Sequence, residues 1–154
     1  MRSLSAIAIG MMVLGTTACS DDDESPTAPA DTGIAGDYRL AIRASGTCSP
    51  DLDAGRIQEF DATITQSGTD VAVTLSSRQG LPTEGAFEGI LDGSTMHVEG
   101  TVNVVPDGSR SYEASGTLIG SVATAGINGL FEGTIRYGDA ACSALNHDFG
   151  FVRD

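Results

Sequence analysis

From residue 34 to the C-terminus, apolar side chains recur at every second position, and short turn signals break the pattern into segments. A period of two belongs to strands with one buried face, and it leaves no room for amphipathic helices. "YRLAIRAS" sets Tyr38, Leu40 and Ile42 against Arg39 and Arg43. "QEFDATITQ" sets Phe60, Ala62 and Ile64 against Glu59, Asp61, Thr63 and Thr65. The same alternation groups Val71, Val73 and Leu75, then Phe87, Gly89 and Leu91. It groups Met96, Val98, Gly100, Val102 and Val104 opposite His97, Glu99 and Thr101. Tyr112, Ala114, Gly116, Leu118 and Val122 follow, then Ile127, Phe131, Gly133, Ile135 and Tyr137. "HDFGFVR" closes the series with Phe149 and Phe151.

The alternation predicts an all-β domain of about eight strands. "QSGTD", "LDGST", "VPDGSRS" and "ATAG" are short connections, so consecutive strands are antiparallel neighbours in an up-and-down meander. Asp92-Gly93 is the strongest hairpin signal among them. "SPDLDAGRIQ" has room for a helical turn and no more. An open meander leaves two exposed edges, which closure into a small barrel removes. A two-sheet β-sandwich is the alternative. Interior glycines at positions 89, 100, 116, 120 and 133 share the parity of the core, as expected where a sheet coils tightly.

Charge narrows the partners. The chain carries 21 acids against eight cations, for a net charge of −13. It repels phosphate backbones, so no nucleic acid is expected as a partner. The cysteines and histidines make no zinc ligand set, and a nucleophile elbow, a phosphate-cradling loop and a dinucleotide fingerprint are missing, so no metal, cofactor or catalytic residue is assigned. Glu59, Asp61, Glu88, Glu99, Glu113 and Glu132 fall on the polar face of their strands, where solvated charge is the default. His97 falls on that face too, whereas His147 shares the parity of Phe149 and Phe151 and so points inward, to hydrogen-bond at the barrel mouth.

The N-terminus has its own grammar. Arg2 precedes an uncharged, mostly apolar run over residues 4–14, too short to span a bilayer. "GTTA" and Cys19 follow. This order resembles the lipobox of bacterial lipoproteins, with Thr16 where leucine is commoner. The resemblance implies that residues 1–18 are a signal peptide and that Cys19 is lipidated and becomes the mature N-terminus. The alternative is a plain secreted protein with Cys19 left free. "SDDDESPTAPADTG" then reads as a charged, proline-stiffened linker over residues 19–33, lacking the spacing of a calcium loop. Ser20 after the cysteine resembles outer-membrane sorting, and the acidic run resembles a surface-export signal. Three cysteines leave an odd one; if Cys19 carries lipid, Cys48 and Cys142 are the natural disulfide in an oxidising compartment. That bond would staple the end of strand one to the start of strand eight.

Two further resemblances concern residues 34–154. Gly36 and Tyr38 in "GDYRL", with Arg153 at the end of the last strand, resemble the lipocalin pattern, in which a basic residue covers an aromatic on strand one. That family usually has Trp where Tyr38 stands. The order "GxYxLxI…C", "FxATITQSGxxVxVTL" and "CSxxxHxFxFxR" resembles small β-rich lipoprotein domains of uncharacterised bacterial families, which implies no activity. The expectation is a monomeric, lipid-anchored module of the bacterial cell envelope, at the outer membrane. It is non-enzymatic and binds a small apolar ligand or a protein partner. A hydrolase using the carboxylates is the alternative, as is an inhibitor or adhesin using the loop 76–85.

Overall fold

The computed structural model describes residues 33–78, 80–105 and 111–154. The signal peptide, Cys19 and the acidic linker lie outside the described residues. The strands are β1 (Gly36–Arg43), β2 (Ile57–Ser67), β3 (Asp70–Ser77), β4 (Thr83–Asp92), β5 (Thr95–Val104), β6 (Tyr112–Ala123), β7 (Gly126–Tyr137) and β8 (Ala140–Arg153). Each pairs antiparallel with the next, and β8 returns to pair with β1 over six residue pairs, from Tyr38 opposite Arg153 to Arg43 opposite Asp148. The sheet is a closed barrel, and the sandwich alternative is excluded. A short 3-10 helix, η1 (Pro50–Gly55), occupies the one segment that the sequence leaves for a helical turn.

The two ends of the barrel differ. At one end β2–β3, β4–β5 and β6–β7 are joined by two-residue turns, as the in-register pairs Ser67 with Asp70, Asp92 with Thr95 and Ala123 with Gly126 require. Gly68 and Gly93 supply the positive φ that such turns need, at 61° and 58°. Gly33, Ile34 and Ala35 precede β1 at this hairpin end. Ile34 is buried, its N–H donates to Gln66 Oε1 (2.9 Å), and its carbonyl accepts from the Tyr38 hydroxyl (2.8 Å). The other end holds residues 44–56 with η1, the β3–β4 loop, and a two-residue turn between Tyr137 of β7 and Ala140 of β8. Leu52 of η1 is buried in the core there.

Strand eight is longer than the alternation suggests. It starts at Ala140, seven residues before "HDFGFVR", and Cys142 lies inside it rather than ahead of it. The cause is a β-bulge. Phe131 pairs with His147 but Gly133 pairs with Ala144, so Leu145 and Asn146 together face Glu132. The extra residue reverses the parity. Positions 140, 142 and 144 share one face with 147, 149 and 151, which hides the alternation from a period-two reading.

Side chains fill the interior. Phe60, Phe87, Phe131 and Phe151 are almost fully buried. The rings of Phe60 and Tyr112 lie 6.0 Å apart although they belong to β2 and β6, four strands apart in a ring of eight. The glycines make this possible. Gly100, Gly116 and Gly133 lie opposite one another across β5, β6 and β7. A Cβ at Gly133 would stand 2.8 Å from the Phe131 ring, and one at Gly120 would stand 2.6 Å from the Phe149 ring. Bare backbone is the floor on which the large rings lie.

Cys48 and Cys142 form a disulfide with their Cα atoms 5.6 Å apart, across a sequence separation of 94. Its entropic contribution on the chain model is roughly 4–5 kcal/mol. Replacing both cysteines by Ala is expected to lower the urea unfolding free energy by about that amount and to raise the m-value, because the unfolded chain without the crosslink is more expanded. Dithiothreitol should do the same to the wild type. At Gly100 a Cβ would run into the Ala86 carbonyl and stand 2.7 Å from the Phe87 Cα. Gly100→Ala is therefore expected to destabilise by at least about 2 kcal/mol, and chemical denaturation measures it.

Candidate functional site

The β1–β2 and β3–β4 connections lie at the loop end. A depression of about 280 Å³ opens there, lined by Ile57, Gln58, Glu59 and Phe60 of β2, Ser77, Arg78, Leu81 and Thr83 around the β3–β4 loop, and Val104. Arg78 stands at its rim, with Nε 3.8 Å from Glu59 and Nη1 3.6 Å from Asp61. All three are substantially exposed, so these long contacts hold the arginine only loosely. The segment 76–85, the expected contact loop, supplies four of the lining residues.

Behind this end the scaffold is tied together. Ser45 donates its backbone N–H to His147 Nδ1 at 2.9 Å, joining residues 102 positions apart. Nδ1 is thus an acceptor and the proton sits on Nε2, which donates to the Gly133 carbonyl at 3.2 Å. The ring is fully buried and stacks on Phe131 with centroids 5.6 Å apart. The β8 bulge turns His147 into this position. The inward His147 of the sequence reading is a structural group with both ring nitrogens engaged. Burial lowers its pKa from 6.5, outweighing the backbone hydrogen bonds to Gly133 and Cys142 and the nearby Asp148, which pull upward. His97 is exposed on β5, as its parity predicts.

Two buried side-chain polar atoms lack a hydrogen-bond partner among the described residues, Arg39 Nε and the Tyr112 hydroxyl. The Tyr112 hydroxyl is buried beside Phe60 and Val104 and makes no hydrogen bond. Burial pushes its pKa well above the ordinary tyrosine range, so it stays a neutral phenol. Sequence pattern assigns Tyr112 to the core but gives no sign that its hydroxyl is unmatched.

At the hairpin end Gly36, Tyr38 and Arg153 come together. The Arg153 guanidinium carbon lies 5.2 Å from the Tyr38 ring centroid, and Nη2 donates to the carbonyls of Ala35 (3.0 Å) and Gly33 (3.4 Å). Gly36 has a φ of 147°, a conformation that favours glycine, and a Cβ there would only touch Nη2, at 3.6 Å. The carboxylates Glu59, Asp61, Glu88, Glu99, Glu113 and Glu132 lie on the outer wall, exposed or half-buried. Glu88 and Glu99 are direct cross-strand neighbours. The described residues hold no cluster of three or more His, Cys, Asp or Glu placed to bind a metal ion. Comparison of the chain with protein families, with curated proteins and with solved structures finds no match.

The His147 arrangement fixes a pH dependence. The unfolded chain protonates its histidine near pH 6.5, while the folded chain resists until lower pH. The unfolded state then binds more protons in that window, so stability is complete above pH 6.5 and falls as the pH drops below it. Denaturation between about pH 5 and 8 should show this slope in the wild type and lose it in His147→Gln.

Proposed function

We propose that this chain is a lipid-anchored lipoprotein of the bacterial cell envelope, carrying a non-enzymatic barrel that recognises a partner with its exterior. The observation that carries the reading is the division of labour between the barrel ends. Gly33, the first described residue, lies at the hairpin end, and the depression beside Arg78 opens at the other, next to the β3–β4 loop. Residues 19–33 could span at most about 50 Å when fully extended.

The packed interior supports recognition of a protein partner over enclosure of a small apolar ligand. A barrel of eight strands is just wide enough for side chains to fill or for one small ligand, and here Phe60, Phe87, Phe131 and Phe151 take the space. Hydrolysis by paired carboxylates needs two of them in a cleft, whereas each depression of the surface takes in at most one of these six. The conjunction of Gly36, Tyr38 and Arg153 favours a lipocalin-like closure of the hairpin end, without the ligand cavity that such a likeness suggests.

The anchor is tested in a bacterial host by membrane fractionation. The wild type is expected in the membrane fraction, with globomycin causing the unprocessed precursor to accumulate. Cys19→Ser is expected in the soluble fraction. Equal solubility of wild type and variant would defeat the anchor reading.

A further inference from the structure

The outer wall from β4 to β7 carries a two-row pattern that the fold does not need. One row is apolar. Ile90, His97, Ile119 and Leu130 are consecutive cross-strand neighbours on β4, β5, β6 and β7. Ile90 is 47% exposed and Leu130 45%. The second row lies two residues along each strand: Glu88, Glu99, Thr117 and Glu132, again in register. The rows thus run side by side about 7 Å apart.

The wall is also indented where the acidic row ends. A depression of about 420 Å³ opens over Ala72, bordered by Thr65 and Glu88. Another of about 420 Å³ opens over Gly133 and Ala144, bordered by Glu132 and by Leu145 of the bulge, which is 73% exposed.

Charge identifies the occupant. β3, β4, β5 and β6 contain no Lys or Arg, and Arg136 is the one cation on β7. Glu88 and Glu99 face each other directly, an arrangement that costs a few tenths of a kcal/mol or more. None of the ion pairs among the described residues involves either of them. A local cost without local compensation is expected where a surface serves binding. A second copy of this acidic chain would be repelled.

We infer that this wall docks an extended protein segment in which cationic and apolar side chains alternate. Lying between the rows, such a segment directs its cations to Glu88, Glu99 and Glu132 and its apolar side chains to Ile90, Ile119 and Leu130. From Glu88 to Glu132 is three strand spacings, about 14 Å, and four residues of extended chain advance about 13 Å. The surface is separate from the loop end and does not depend on whether Cys19 carries lipid.

The probe is a fluorescein-labelled synthetic peptide of about eight residues alternating Lys and Leu, titrated with the purified protein at low salt and followed by anisotropy. Saturable binding is expected to weaken about tenfold in the Glu88→Gln, Glu99→Gln, Glu132→Gln triple variant. It should change less than about twofold in a charge-matched control, Asp51→Asn, Asp139→Asn, Asp154→Asn. Equal weakening in both variants, or no saturable binding to the wild type, would overturn the inference. So would a dimer in sedimentation that Leu130→Lys dissociates, since the wall would then belong to a second copy.

Discussion

The ladder between β1 and β8 is the contact on which the rest of the barrel depends. Without it, β1 and β8 are free edges, and neither the interior nor the outer wall has a fixed shape. The ladder is only six residue pairs long, and the structure fastens it at both ends. Beyond Arg43, Ser45 reaches His147 and Cys48 reaches Cys142. Beyond Tyr38, Arg153 covers the aromatic ring and holds the carbonyls of residues 33 and 35, while the Asp154 N–H donates to the Asp37 carbonyl. The disulfide acts mainly by restricting the unfolded chain. The hydrogen bonds act in the folded state, where Ser45 and His147 would otherwise be buried donors and acceptors without partners.

Closure creates a packing problem that the glycines solve. Eight strands enclose little volume, and four phenylalanines crowd into it. Where Gly133 and Gly120 lie under Phe131 and Phe149, a methyl group would collide with the ring. Interior glycine normally weakens a strand. Here the loss is offset by rings that bury large apolar area directly against backbone. Packing of this kind also decides where function resides. With the interior spent on stability, the proposed recognition would fall to the loops and the outer wall.

Much of this is legible in the sequence, because a half-buried strand writes its period into the chain. β5 spans the ten residues that alternation marks, and the turns at Gly68 and Gly93 lie where the Ser-Gly and Asp-Gly steps place them. The first half of β8 is not legible. Leu145 and Asn146 oppose a single residue, the parity reverses, and "AACSALN" looks like a loop. The same bulge aims His147 inward, so its parity can be read but its partner, 102 residues away, cannot. The candidate site is legible only in part. The loop 76–85 announces itself by charge and proline, but the unmatched Tyr112 hydroxyl is a matter of depth that no pattern records. Nor can alternation show which outward residues line up across strands. Glu88 and Glu99 become neighbours only through register.

That register gives the outer wall its character. Individually, exposed carboxylates and exposed leucines are ordinary surface. Aligned in two rows on a closed sheet, they cannot move apart to relieve their repulsion or bury themselves by rearranging. The barrel's hydrogen bonds hold the rows fixed, so a partner would lose little free energy in ordering this side of the interface. Charge attraction alone would be indiscriminate and would fade with salt. The apolar row beside it adds a requirement that salt does not screen: the partner must present both chemistries at strand spacing. Rigidity therefore turns a general acidic excess into a directional surface. The closed ladder that leaves no room inside the barrel is also what makes its outside capable of selection.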